Sequence, residues 1–249
     1  MTDKVLQASG LPIAEVWAEL ETRVAGDVDA STGKVLGGLY VGDADVQELG
    51  AQVYARFLSA NALFVNLYPS IAQMEREVVA SVAQLLSGDH RIAGSMTSGG
   101  TESIMLAVKA TRDQAWERRP ELREQRTQIV LPITAHPAFH KAAHYLGMEV
   151  VVTPVDPVGH RAEVSAMREA ISDRTVLLVG SAPNFSHGTI DPIEEIAALG
   201  KEKRINVHVD CCVGGMILPF QRRLGDPIPP FDFAVPGVTS ISADLHKYG

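Results

Sequence analysis

The sequence predicts an α/β fold, a mainly parallel β-sheet covered by helices on both faces. Three observations carry that expectation. From about residue 94 onward, apolar runs of strand length alternate with stretches of helical periodicity. The runs are near-continuously apolar, as strands buried on both faces must be. And 46% of the 249 residues are apolar, enough for one sizeable core or a core with a small appendage.

The elements follow in order. Residues 11–25 and 43–59 are expected to be helices; in the second, Val46, Leu49, Val53 and Phe57 recur at helical spacing. A third helix is expected from Ser70, with Gln73 three residues on in the pattern of a capping box. Its stripe is Ile71, Met74, Val78, Val82 and Leu85. Then come helix 101–118, strand 128–133, helix 137–146, strand 149–155, helix 163–172, strand 175–182, helix 192–203 and strand 205–210. Two further strands, 232–235 and 239–244, follow without a helical interval. The expected division is a helical segment over 1–60 and a large α/β domain over 61–249.

Composition excludes several function classes. A formal net charge of -8 argues against a nucleic-acid binder, which presents a basic face. The two cysteines are adjacent, Cys211 and Cys212, which rules against a disulfide framework and marks them as small packing residues. The opening MTDKVLQASGLPIAEVW has no long apolar run after its first charges, so no signal peptide is expected. No stretch approaches the ~18 apolar residues of a membrane span. A reducing, cytoplasmic setting fits these features.

In a sheet of this kind ligands gather at the carboxyl ends of the strands, so the residues there decide the chemistry. GSMTSGGTESIML, residues 94–106, is a Gly/Ser/Thr-rich turn that feeds a helix. Gly99 and Gly100 let backbone approach a ligand closely, the helix N-terminus offers N–H groups to an anion, and Thr101 adds a hydroxyl. No lysine follows as in a P-loop, and a simple capped turn is the alternative. INVHVDCCVGG ends an apolar strand on Asp210, an acid that needs a cation or donor to satisfy it. It is either a cap for the next turn or the partner of a protonated ring nitrogen. A metal site built on His208 and Asp210 lacks a second cluster of ligands. TAHPAFHKAAHYLG carries His136, His140 and His144. Pro137 belongs at the first helical position, which leaves His136 at the loop tip, where an imidazole can stack on an aromatic ligand; the other two are expected on the surface. SISADLHKYG, residues 240–249, runs from a strand straight into Lys247, an amine that partial burial would make nucleophilic.

An anion cradle, a loop-tip imidazole, a strand-end carboxylate and a lysine after a strand together match the needs of pyridoxal 5'-phosphate. Its phosphate takes a helix N-terminus, its ring is covered, its pyridinium nitrogen pairs with an acid, and its aldehyde forms a Schiff base with lysine.

The motifs TSGGTES, HVDCCVGG and GVTSISADLHKYG resemble the group II pyridoxal-phosphate-dependent decarboxylases of fold type I, an aspartate-aminotransferase-like large domain. GGLYVGDADVQELGAQVYARF, ALFVNLYPSIAQMEREVV and APNFSHGTIDPIEEIA are similar to the sphingosine-phosphate lyase branch of that family. The resemblance covers about residue 35 to the end. It implies Lys247 as the Schiff-base lysine, His246 as a phosphate contact, Asp210 as the ring-nitrogen partner and His136 as the stacking ring. It places Gly100 and Thr101 in the phosphate cradle, and Tyr40 and Asn61 near substrate, with Tyr40 counted among the catalytic residues. Where the branch reads Asn-Pro-Leu-His, this sequence has Asn61-Ala62-Leu63-Phe64, an apolar ring in place of an imidazole. The reaction it implies is retro-aldol cleavage of a phosphorylated long-chain base to a fatty aldehyde and phosphoethanolamine. An amino-acid decarboxylase acting on a small amino substrate and an inactive binding fragment are the alternatives. Resembling enzymes continue well past the lysine, so the expectation is the first half of a longer enzyme or one piece of a split chain. Such a piece would need the continuing sequence or fragment to cover its sheet. A homodimer is expected, because these enzymes build each site at a two-fold interface.

Overall fold

The computed structural model describes residues 9–29, 32 and 43–248. Three helices come first: α1 (Ile13–Val24), α2 (Ala44–Phe57) and α3 (Pro69–Leu85). The alternating part runs α4 (Gly100–Arg118), β1 (Gln128–Pro132), α5 (Ala138–Tyr145), β2 (Glu149–Thr153), α6 (Val164–Ala170), β3 (Thr175–Ser181), α7 (Ile193–Lys203) and β4 (Asn206–Asp210). It closes with α8 (Leu218–Leu224), β5 (Ser240–Ser242) and α9 (Leu245–Tyr248). The five strands form one sheet in the order β2-β1-β3-β4-β5, every neighbouring pair parallel.

Strand period sorts the core into two layers. Ile129 and Leu131 of β1, with Leu177 and Val179 of β3, face Ile104 and Val108 of α4 and Phe139 and Ala142 of α5. The intervening Val130 and Leu178, with Val207 and Val209 of β4, face Met167 of α6 and Ile193, Ile196 and Leu199 of α7. Each fully buried side chain of this size contributes roughly 1.5–3 kcal/mol, so the two layers fix the sheet between its helices. The helices carry their own end signals. In α7, Glu194 and Glu195 lie in the first turn and Lys201 and Lys203 in the last, matching the helix dipole.

Two sequence expectations are corrected. The capping box at Ser70 does not form: α3 starts at Pro69, a residue pre-set for the first helical position, and Gln73 instead donates to Glu77 at 2.7 Å. Residues 232–235 are a turn, not a strand. Asp232 is wholly buried, and its carboxylate accepts from Ser87 Oγ at 2.9 Å, Arg222 at 3.1 Å and the Ala234 N–H at 3.2 Å. The last of these bends the backbone out of any ladder. Helices α1 and α2 form as expected but bury none of their residues, and Trp17, Val46 and Leu49 are each about 60% exposed at 62%, 62% and 59%.

Candidate cofactor site

The carboxyl ends of β4 and β5 and the start of α4 meet around a cleft of about 300 Å³. Its lining includes Gly99, Gly100, Thr101, His136, His246 and Lys247, so six residues singled out from sequence converge in space.

The cradle is built locally. Gly99 has φ 146°, a conformation natural only to glycine, and its carbonyl accepts the first two hydrogen bonds of the helix, from the Glu102 N–H at 3.0 Å and the Ser103 N–H at 3.1 Å. Glu102 reaches back to the Ser98 N–H and hydroxyl, both at 2.7 Å, and those bonds hold its carboxyl below the usual range. The helix start is thereby fixed, and the Gly100 and Thr101 N–H groups, ahead of the first helical bond, can meet an anion. Gly100 has no room for a side chain, since a Cβ there would lie 2.7 Å from both Asp244 Oδ2 and Cys212 Sγ. His246 covers the neighbouring Gly99, its Cε1 3.7 Å from where a Cβ would stand.

His136 sits at the tip of the β1–α5 loop, exposed, with its Nδ1 accepting the Ala138 N–H at 3.1 Å. That bond moves Pro137 to the position just before α5, one residue earlier than expected, and leaves Nε2 as the protonated nitrogen. Its ring meets Phe185 edge-on at 6.5 Å. His140 and His144 lie exposed on α5.

Asp210 ends β4 and is buried at 7% exposure. Its Oδ1 accepts from the Cys212 N–H at 3.0 Å and from Ser242 Oγ at 3.3 Å, and Cys212 in turn lines the cleft. Both cysteines are buried free thiols, and burial, reinforced by the Asp210 charge, pushes both thiols up and keeps them unreactive. Lys247 Nζ is 2.9 Å from Asp244 Oδ2, with the carboxylate nearly sealed.

Asp244 is the site residue that sequence reasoning missed. It stands three positions before Lys247 within SISADLHKYG, the i, i+3 spacing that pairs side chains across one helical turn. Asn61 is not brought to the cleft: its side chain closes a local turn onto the Leu63 N–H at 2.9 Å, and Phe64 is exposed. Tyr40 lies outside the described residues.

The donor set fits pyridoxal phosphate on structural grounds: a glycine cradle that any Cβ would fill, an imidazole at a loop tip, a strand-end carboxylate and a part-buried amine. Sheet order, crossovers and cleft place the chain in the class of fold-type I pyridoxal-phosphate-dependent enzymes. More narrowly, it belongs to the pyridoxal-dependent decarboxylase family, whose conserved domain matches residues 1–249. Among its relatives is sphingosine-1-phosphate lyase 1 of Rattus norvegicus, 44% identical over 99% of this chain and 43% of that protein. The sphingosine-1-phosphate lyase of Dictyostelium discoideum is 46% identical over 87% of this chain and 40% of its own. In structure the chain is similar to the sphingosine-1-phosphate lyase of Burkholderia pseudomallei K96243, with a TM-score of 0.90, 41% identity, and coverage of 98% of this chain and 57% of that one. The chain thus spans about half the length of the relatives it matches.

Proposed function

We propose that this protein acts as a pyridoxal-phosphate-dependent carbon–carbon lyase, cleaving a phosphorylated long-chain base to a fatty aldehyde and phosphoethanolamine. The observation that carries the reading is the convergence of the glycine cradle, His136, His246 and Lys247 on one cleft, in a chain 37–46% identical to sphingosine-1-phosphate lyases from seven eukaryotes.

When bound, the cofactor takes up the electron pair released as the substrate Cα–Cβ bond breaks. The chain's own residues do the rest. The Gly100 and Thr101 N–H groups, with His246 beside them, hold the phosphate at the positive end of α4. His136 covers the ring face and excludes water from it. Asp210 keeps the ring nitrogen protonated, which is what makes the ring an acceptor of electrons. Lys247 supplies the amine for covalent attachment, and Asp244, 2.9 Å away, can receive or hold the proton at Nζ that this amine must lose.

Three further parts belong to the same reading. Tyr40 and Asn61 act near substrate across a homodimer interface; the exposed apolar faces of α1 and α2 support such an interface. The helical segment 1–60 stands apart from the α/β domain 61–249, consistent with α1 and α2 burying none of their residues. A cytoplasmic setting accords with the two free thiols, and among the described residues no helix is long and apolar enough to cross a membrane.

The test supplies sphinganine phosphate, and separately aromatic and acidic amino acids, to the full-length protein loaded with pyridoxal phosphate. Fatty aldehyde from the phosphorylated base is the expected product. Carbon dioxide without aldehyde would assign an amino-acid decarboxylase instead, and no product from either would leave a binding protein. Mixing Tyr40→Phe with Lys247→Ala subunits checks the shared site: recovered activity is expected, and none would place each site within one chain.

A further inference from the structure

Behind Asp210 lies a chain of polar side chains that packing alone does not require. Parallel pairing sets His208 opposite Ser240 and Asp210 opposite Ser242, and the two-residue period puts all four on one face of the sheet. His208 is sealed from solvent, with Phe139 meeting it edge-on at 5.7 Å. Its Nδ1 is 2.8 Å from Ser240 Oγ and its Nε2 3.1 Å from Ser242 Oγ. Ser242 Oγ is 3.3 Å from Asp210 Oδ1.

Hydrogen-bond chemistry gives this chain one direction. Burial depresses His208 to about 4, so near neutral pH one ring nitrogen donates and the other accepts. A carboxylate can only accept, so the single Ser242 proton goes to Asp210 Oδ1. Ser242 oxygen must then accept, and its imidazole donor is His208 Nε2–H. That leaves Nδ1 to accept from the Ser240 hydroxyl. One tautomer and one set of proton positions satisfy every member. The Cys212 N–H adds a second donor at 3.0 Å to the same carboxylate oxygen. The Cys212 N–H and the Ser242 hydroxyl thus both meet Asp210 on Oδ1, with the Cys212 thiol a further neighbour of the same carboxylate.

We infer that His208 and Ser242 are positioning residues that lock Asp210 through Oδ1, so that Oδ2 is the oxygen offered to the protonated ring nitrogen of the cofactor. The inference rests on the reading of Asp210 as the ring-nitrogen partner. A wholly buried imidazole costs desolvation free energy that an apolar side chain of similar size would not, so its retention here goes with the orientation it imposes. The metal alternative for His208 falls away, because both of its nitrogens are engaged by serines.

The test compares binding of two ligands by the full-length protein: pyridoxal phosphate, and its analogue with C–H in place of the ring nitrogen. The ratio of the two affinities reads the Asp210–nitrogen contact and needs no turnover. The wild type is expected to prefer the natural cofactor. Ser242→Ala and His208→Phe should each cut that preference about tenfold. Ser242→Thr, which keeps the hydroxyl, and His208→Gln, which keeps a donor near Nε2, should restore most of it. A preference ratio unchanged in Ser242→Ala, with both affinities weakened equally, would show a merely structural role and overturn the inference. If His208→Phe fails to fold, Ser242→Ala decides alone, since it removes one oxygen and adds no volume. A wild type that binds both ligands equally overturns the inference together with the role of Asp210. A wild type that binds neither sinks the underlying cofactor reading, a different and recognisable failure.

Discussion

Two buried carboxylates, Asp210 just behind the cleft-lining Cys212 and Asp232 in the seam between α3 and α8, look alike in sequence, each set in an apolar stretch. Their surroundings differ. Asp232 is saturated: Ser87, Arg222 and the Ala234 N–H occupy both of its oxygens. Asp210 takes the Cys212 N–H and the Ser242 hydroxyl on the same oxygen, Oδ1. Burial by itself therefore does not separate these two acids; the partners that fill their acceptor capacity do. The region around Asp232 closes the fold, whereas Asp210 ends a strand directly behind Cys212, a residue of the cleft wall.

The largest effect expected in the cleft region is that of Lys247→Ala. The full-length variant should lose the absorbance band near the visible edge that marks covalent cofactor, and turnover should fall roughly 10³-fold or more. A band of wild-type intensity would remove Lys247 from the attachment role.

Asp210→Asn comes next and sharpens the contrast directly. It should keep the cofactor and the fold while transition-state stabilisation drops by about 3–5 kcal/mol, read as kcat/KM. Near-full activity would show that the ring nitrogen is handled elsewhere.

Protonation of His208 is expected to cost somewhat less. Its folded pKa of about 4 lies below the ordinary 6.5 because burial disfavours the charged ring, so the unfolded chain binds the extra proton first. Stability from this group is complete above about pH 6.5 and is lost as pH falls toward 4, up to about 3 kcal/mol across that window. Denaturant titrations of wild type and His208→Gln at several pH values should differ in slope there, and parallel curves would place the titration on other groups.

The smallest effect belongs to the seam. Asp232→Ala should destabilise the fold by about 2–3 kcal/mol, less than a fully buried pair would, because the Arg222 side chain is 35% exposed. The covalent cofactor band per folded molecule should not change. A variant that kept its stability but lost the band would reverse the comparison.

Several parts of this arrangement were legible along the chain because they depend on local chemistry. TSGGTES reads as a glycine turn feeding a helix N-terminus, and backbone conformation at Gly99 and crowding at Gly100 require those residues. Asp210 and Lys247 stand out because an acid and an amine at apolar strand ends need partners. The turn at 232–235 was not legible: its apolar letters read as strand, and the Asp232 carboxylate that bends it through the Ala234 N–H is itself held by Arg222 and by Ser87, 145 residues away. Asp244 was overlooked because 239–244 reads as strand, and only the turn of α9 brings Lys247 to 2.9 Å from it.

By itself, then, the sequence determined the alternation of strands and helices, the parallel sheet and six of the residues that line the cleft. These follow from side-chain periodicity and from what each group can donate or accept. Tertiary structure alone decided the register that aligns His208 and Asp210 with Ser240 and Ser242. It alone decided which carboxylates are saturated, and that the apolar faces of α1 and α2 stay exposed in this chain. The physical reason is range: periodicity and propensity act over a few residues, whereas satisfaction of a buried polar group depends on partners that only the folded sheet brings within 3 Å or so.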